Sequence, residues 1–377
     1  MAKSNKNNHK IYLDYASSAN PSSANPGAIH QLGVEEKNKL ERARADVARI
    51  LGAQSREIIF TSGATESNNL AILGIVNAAH IITTNIEHSS ILEVCRHLEN
   101  IKKAQVTYVP VEPSGIVDPE KIKKALREDT VLVSVMYANN EIGTIQPIQE
   151  IAKEIRHFNK THSSKIFFHT DATVAVNYLP INVVKLGVDL LSFNGAKIYG
   201  PKGVGILYVK KNTPVGPIMF GGDQEFGLRP GTENVGGILE LAEALSVVEK
   251  VKEKEVKRLR ELQNYFLDKL KKIPLPFVLN GDLKNKLPNI INITIPKIPS
   301  DLLVIELSAY GIMTSAKSAC KSDSGEGSYV IEALSPKKDG EIGGLRFSLG
   351  RETTKPKLDY TIKVLSQVLT KLKKWYN

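Results

Sequence analysis

Cysteine is scarce in this chain. Only Cys95 and Cys320 occur among its 377 residues. That is too few for a disulfide framework and, with no histidines clustered beside them, too few for a structural zinc site. A reduced compartment fits. Long hydrophobic runs are also missing. No uninterrupted apolar stretch reaches the roughly 18 residues that cross a bilayer, so no membrane partner is expected. Residues 1–10 are polar and lysine-rich and lack the apolar core of a secretory signal. They read as a short disordered leader on a cytoplasmic protein. No repeat of solenoid length and no low-complexity tract is found. The net charge is +10, but the lysines are spread along the chain and alternate with glutamates, as in residues 251–261. Solvated helix faces account for that excess, and no direct nucleic-acid binding is expected.

What is present is the composition of a soluble globular protein, 42% apolar and 24% charged. The length is large for one core, so two domains are expected. Residues 35–51 carry apolar and alanine positions among Glu, Lys and Arg, the pattern of an amphipathic helix. A short apolar strand follows at 57–60, and the run Thr61-Ser62-Gly63-Ala64-Thr65-Glu66-Ser67 then opens a helix over 68–79. Strand-like stretches lie at 80–84, 105–110, 131–137, 166–169, 190–193 and 205–209. Helical patterns at 91–102, 119–127 and 148–162 separate several of them. This alternation implies an α/β fold with a mainly parallel sheet covered on both faces. After about residue 249 the texture changes. Residues 250–272 read as one long charged helix linking two domains, followed by a short strand at 289–295 and helices at 300–310 and 356–376. We therefore expect a large α/β domain over 15–249 and a smaller α+β domain over 250–377 together with 1–14.

Several residues offer chemistry. Lys197 follows an apolar strand in the Gly-rich loop Asn194-Gly195-Ala196-Lys197-Ile198-Tyr199-Gly200-Pro201-Lys202-Gly203, where α/β folds place ligands. A desolvated lysine there can form a Schiff base, although a surface lysine in a turn would look the same. Asp171 ends a buried strand, where it could pair with a protonated ring nitrogen or simply cap the next helix. Ser62-Gly63-Ala64-Thr65 at a helix start could cradle a phosphate or be ordinary capping. His88 follows another strand and could equally be a satisfied, partly buried histidine. Cys95, within the helical pattern, reads as core.

The order and wording of these segments resemble the cysteine desulfurases, in class V of the fold-type I pyridoxal-phosphate (PLP) enzymes. The resemblance runs through Ile11-Tyr12-Leu13-Asp14-Tyr15-Ala16, Thr61 to Ser67, Asn139-Asn140-Glu141-Ile142-Gly143, His169-Thr170-Asp171-Ala172-Thr173 and Lys197 to Gly203. It continues through Arg229-Pro230-Gly231-Thr232-Glu233-Asn234, Ser318-Ala319-Cys320 and Arg346-Phe347-Ser348-Leu349-Gly350. It implies a mainly parallel seven-stranded sheet flanked by helices, with 15–249 as the PLP-binding domain. It also implies that Lys197 holds the cofactor covalently and later moves the α-proton, and that Asp171 pairs with the ring nitrogen. His88 would stack on the ring and take part in acid–base steps. Asn140 would contact the ring oxygen and the substrate. Ala64 and Thr65 would hold the phosphate, with Asn194 still able to donate. Thr232 would reach the phosphate of a neighbouring subunit, which makes a homodimer. Arg346 would form a bidentate pair with the carboxylate of L-cysteine.

Cys320 selects a desulfurase over other members of that class. Its thiolate would attack the substrate sulfur, leaving alanine and a persulfide. Its surroundings, from Lys317 to Gly327, are small and polar, suited to a mobile loop that carries sulfur outward, and Lys317 and Lys321 would lower the thiol pKa. The long stretch between Cys320 and Arg346 resembles the group that hands sulfur to an acceptor protein, an iron–sulfur scaffold or a tRNA-thiolation enzyme. A relative acting on another substrate (a selenocysteine lyase or an aminotransferase) and a non-catalytic homologue in sulfur trafficking are the competing readings. The chain also departs from the family pattern. Val174 stands where a Gln usually bonds the ring oxygen, and Asn194-Gly195-Ala196 stands for Ser-Gly-His at the phosphate. Phe226 stands where an Arg is common. The stretch between Tyr15 and Asn25-Pro26 is short. These gaps bear on cofactor affinity more than on reaction type.

Overall fold

The structure, a computed structural model, describes residues 11–75, 79–274, 276–316, 328–334 and 343–376. The leader at 1–10 and the stretch carrying Cys320, Lys317 and Lys321 lie outside the described residues.

Seven strands form the main sheet: β1 (Ile58–Thr61), β2 (Ala79–Thr84), β3 (Ala104–Val109), β4 (Thr130–Ser134), β5 (Phe167–Asp171), β6 (Leu190–Asn194) and β7 (Gly205–Val209). Their spatial order is β1-β7-β6-β5-β4-β2-β3. Neighbours are parallel throughout except at β7, which runs antiparallel to β6 and β1. Strands buried on both faces must be apolar almost continuously, which is why they were legible as short Ile, Leu, Val and Phe runs. Helices α1 (Gln31–Leu51), α4 (Pro119–Ala125) and α5 (Ile148–His162) cover one face. Helices α2 (Ala64–Leu73) and α3 (Ser89–Asn100) cover the other. Helix α6 (Val183–Leu186) is a single turn between β5 and β6.

The bounds of two expected helices move most. Helix α2 begins at Ala64, not 68, because Gly63 leaves the strand and the Glu66 carboxylate accepts the Ser62 N–H at 2.6 Å, fixing the first turn. It ends at Leu73, and Ala79 already belongs to β2. Helix α7 (Val235–Leu270) starts well before 250 and passes through 249 without a break. Asn234 caps it by accepting from Gly237 N–H at 3.2 Å.

Helix α7 serves two cores. Its first half buries Ile238, Leu241, Leu245 and Val248 against the main sheet. Its second half buries Leu259, Leu262, Phe266 and Leu270 in a separate cluster. That cluster is completed by a small antiparallel sheet of β8 (Val278–Leu279), β9 (Ile290–Thr294) and β10 (Leu345–Ser348), ordered β10-β9-β8, and by α8 (Ser300–Ser308) and α10 (Lys355–Tyr376). A short helix, α9 (Tyr329–Leu334), returns to the first core. Among the described residues no helix is long and apolar enough to cross a membrane.

Candidate active site

In an open parallel sheet, ligands bind outside the carboxyl ends of the strands. Here that edge opens into a cavity of about 410 Å³. β1 leads into Ala64 and Thr65 at the start of α2, and β2 leads to His88. β4 leads to Asn140, β5 ends on Asp171, and β6 delivers Asn194 and Lys197. Arg346 reaches the same cavity from β10. All eight of these residues line it. Thr232 does not; it is exposed, on the strip before α7. Cys320 lies outside the described residues.

Each lining group has a local reason for its place. Lys197 ends a tight turn, Gly195–Lys197, whose N–H donates to Asn194 Oδ1 at 3.1 Å and whose carbonyl accepts from Asn177 Nδ2. Gly195 is required there, because a Cβ would stand 2.6 Å from the Pro201 carbonyl oxygen. Asp171 is 7% exposed, and both its oxygens are held: Oδ1 accepts Thr173 N–H at 2.8 Å and Oδ2 accepts Asn68 Nδ2 at 2.8 Å. His88 caps α3, its Nδ1 accepting Ser90 N–H at 3.1 Å. His169, beneath the site, bridges the hydroxyls of Ser134 and Ser192 at 2.9 Å each, and burial pulls its pKa well below the ordinary value. Burial likewise pushes the Glu87 carboxyl up to about 8, against the donors Met136 N–H and Thr84 hydroxyl.

Arg346 donates to the Asn140 carbonyl at 3.0 Å, and burial lowers its pKa while Glu141 opposes the shift. The chain on either side of the Cys320 stretch is tied to this corner. Ser315 pairs with Arg346 backbone to backbone. Ser328 donates to Glu141 Oε2 at 2.6 Å, and Tyr329 donates to the Glu87 carbonyl at 2.5 Å.

Asn289 and Thr173 join the site without having been singled out from sequence. Arg346 Nε, Asn289 Oδ1 and Thr173 Oγ1 are buried without hydrogen-bond partners among the described residues, and all three residues line this cavity. Buried polar atoms are rarely left so, and their shared place on one cavity makes them candidates to bind a ligand there. Asn68, buried behind Asp171, was missed too. The sequence signal was its place one turn beyond Ala64 on α2, which sets both on one face. Cys95 is buried and its thiol is pushed up to about 12 by that burial, so it is core, as expected. No group of three or more His, Cys, Asp or Glu among the described residues could hold a metal. Val174 lines the cavity. Ala196 is exposed and is not among the lining residues.

The exposed strip that carries Thr232 is anchored from within. Arg44, 2% exposed, makes a two-pronged ion pair with Glu225 at 2.7 and 2.8 Å, and Glu225 also accepts Phe60 N–H. Phe226 packs on the same guanidinium at 5.1 Å.

The model of the family described as aminotransferase class-V matches residues 6–360. This chain belongs to that family. As a class-V member it is an enzyme that uses pyridoxal phosphate. Its relatives include a protein named cysteine desulfurase IscS from Dictyoglomus turgidum, 43% identical over 97% of this chain and 95% of the relative. A protein of the same name from Methanosarcina thermophila is 42% identical over 93% of this chain and 86% of its own length. Among solved structures, a NifS-like protein superposes with a TM-score of 0.83 at 36% identity and covers 92% of both chains. A structure described as SspA in complex with cysteine has a TM-score of 0.71 at 33% identity, with 87% of this chain and 91% of that one covered. The parallel sheet with its small antiparallel companion is thus the fold-type I architecture.

The class-V cavity also fits its cofactor on its own geometry. A ring nitrogen needs a fixed carboxylate, and Asp171 is held by two donors. A phosphate needs unspent N–H groups, and α2 starts at Gly63 with no side-chain cap, its first residues Ala64 and Thr65 lining the cavity. An aldehyde needs an amine, and Lys197 lines it too.

Proposed function

We propose that the chain is a cysteine desulfurase in which Lys197 holds the cofactor and moves the α-proton, Arg346 binds the substrate carboxylate and Cys320 receives the sulfur. One observation carries this reading: a lysine, a pinned carboxylate and an arginine with a buried, unmatched N–H line a single cavity. When bound, pyridoxal phosphate supplies an electron sink that lets the substrate's α-carbon lose its proton.

The remaining work falls to the chain. Arg346 and Asn140 orient the substrate, and a planar guanidinium suits a carboxylate because it can donate two parallel N–H bonds. Ala64, Thr65 and Asn194 take the phosphate, Asp171 the ring nitrogen, and His88 stacks on the ring. The Lys197 amine holds and returns the proton at the α-carbon. At Cys320, the thiolate sulfur attacks the substrate sulfur. An S–S bond forms as the C–S bond breaks, the carbon keeps the electron pair and is protonated, and alanine leaves. The persulfide then passes to an acceptor protein, an iron–sulfur scaffold or a tRNA-thiolation enzyme. A persulfide carrier with two cysteines suits the reducing cytoplasm.

Two domains, 15–249 for the cofactor and 250–377 with 1–14 for the substrate side, fit this division of labour. Thr232, exposed on an anchored strip outside its own cavity, suits a contact with the cofactor phosphate of a second copy, so the working form is a homodimer.

The test is direct. Purified protein given L-cysteine should form alanine in step with protein-bound persulfide. Cys320→Ala should keep bound cofactor and substrate binding and lose alanine formation. A Cys320→Ala protein that makes alanine at the wild-type rate would sink the proposal.

A further inference from the structure

Behind the cavity wall runs a chain of hydrogen bonds whose direction is fixed at one end. The Asn68 side chain is wholly buried, with Nδ2 2.8 Å from Asp171 Oδ2 and 2.8 Å from Ser90 Oγ. Its Oδ1 is buried with no partner among the described residues. A carboxylate only accepts, so the amide must turn its NH2 towards Asp171; the reverse orientation would set two acceptor oxygens face to face. The second hydrogen of that NH2 then goes to Ser90 Oγ, which acts as acceptor. The one hydroxyl proton of Ser90 is left for His88 Nδ1, 2.9 Å away, beside the Ser90 N–H at 3.1 Å. Two donors meeting one ring nitrogen require its lone pair, and a neutral imidazole then carries its proton on the other nitrogen.

We infer that Asn68 and Ser90 are positioning residues that link Asp171 to His88 and hold His88 as the Nε2–H tautomer. The two groups assigned to the cofactor ring are thereby oriented by one shared amide. Nδ1 is committed to the scaffold, so any proton His88 gives or takes in the cavity passes at Nε2. The orphaned Asn68 oxygen is the cost of this arrangement. The catalytic meaning of the relay rests on the role proposed for His88. The tautomer itself can be read without turnover, so the two ideas can fail separately.

The test uses full-length protein labelled with ¹⁵N-histidine, with cofactor and after its removal. Ring-nitrogen resonances are read by long-range ¹H–¹⁵N correlation and assigned by their loss in His88→Gln. Wild type should show an unprotonated Nδ1 and a protonated Nε2 at His88. Asn68→Ala should shift the Nδ1 resonance by way of Ser90. Ser90→Ala should shift it further, and Ser90→Thr, which keeps a hydroxyl, should restore it. His80, bonded to Thr130 and Thr107 elsewhere in the sheet, reports whether a variant has folded. If Asn68→Ala disturbs His80, Ser90→Ala against Ser90→Thr decides. A wild-type proton on Nδ1 overturns the inference, as do folded Asn68 and Ser90 variants with unmoved His88 nitrogens.

Discussion

On the wall of the cavity built by the large sheet, Asp171 and His88 are tied down before any ligand arrives. Asp171 has a donor on each oxygen, and His88 Nδ1 accepts from Ser90. Thr173 Oγ1, on the same wall, is buried without a partner among the described residues. On the opposite wall, from β9, β10 and the residue before β9, Asn289 Oδ1 and Arg346 Nε are buried without partners among the described residues. On the function proposed above, the difference separates two tasks. A resident cofactor needs a rigid seat, so its contacts are pre-organised. A substrate that comes and goes gains most from groups whose desolvation is already complete, each unmatched atom representing about 1–3 kcal/mol that a ligand can recover.

Four substitutions would break or sharpen that contrast. The largest effect is expected at Arg346→Lys, which keeps the charge but loses the forked geometry. Losing a hydrogen bond to a charged group amounts to about 1.5–3 kcal/mol, or roughly ten- to a hundredfold, and should appear as a raised KM for cysteine with cofactor retention on dialysis unchanged. Retention that falls in parallel would mean that the walls do not divide the work. Asn289→Ala should act the same way but less, raising KM by up to about tenfold, since a neutral hydrogen bond contributes about 0.5–1.5 kcal/mol. An unchanged KM would remove Asn289 from the substrate side. The smallest effect belongs to the seated wall. Val174→Gln returns an amide to the cavity and should raise cofactor retention a few-fold at most, by about one neutral hydrogen bond. Ala196→His should add nothing to it, because residue 196 is exposed and outside the lining. A larger gain from Ala196→His than from Val174→Gln would show that the phosphate end is the incomplete one.

Part of this was legible in the sequence because most strands are short and apolar and several lead into a residue with chemistry to offer. Lys197, Asp171, His88 and the Ala64-Thr65 turn stood out in that way, while the roles of Asn140, Asn194 and Arg346 came from the family resemblance. The start of α7 did not stand out, since Asn234, Gly236 and Gly237 resemble a loop. The structure shows why they continue as helix: Asn234 caps the first turn, and Gly237 lies where a Cβ would meet Val204 Cγ2 at 2.6 Å. The relay was illegible for a different reason. Asn68 and Ser90 are polar residues on helices, and spacing can put Asn68 on the face of Ala64 without saying what it meets there. Only the packing of α2 and α3 on one face of the sheet brings Asn68 to Asp171, 103 positions away.

The first core is not finished by the segment that begins it. Leu287, Ile290, Val330, Ile331 and Leu334 are buried in the same cluster as Leu40 and Val47. A nascent chain that has just emerged through α7 therefore still lacks the side chains that close its own sheet. Folding during synthesis has to wait for residues beyond β9, and a stalled or truncated product presents apolar surface of the kind that chaperones hold and proteases find.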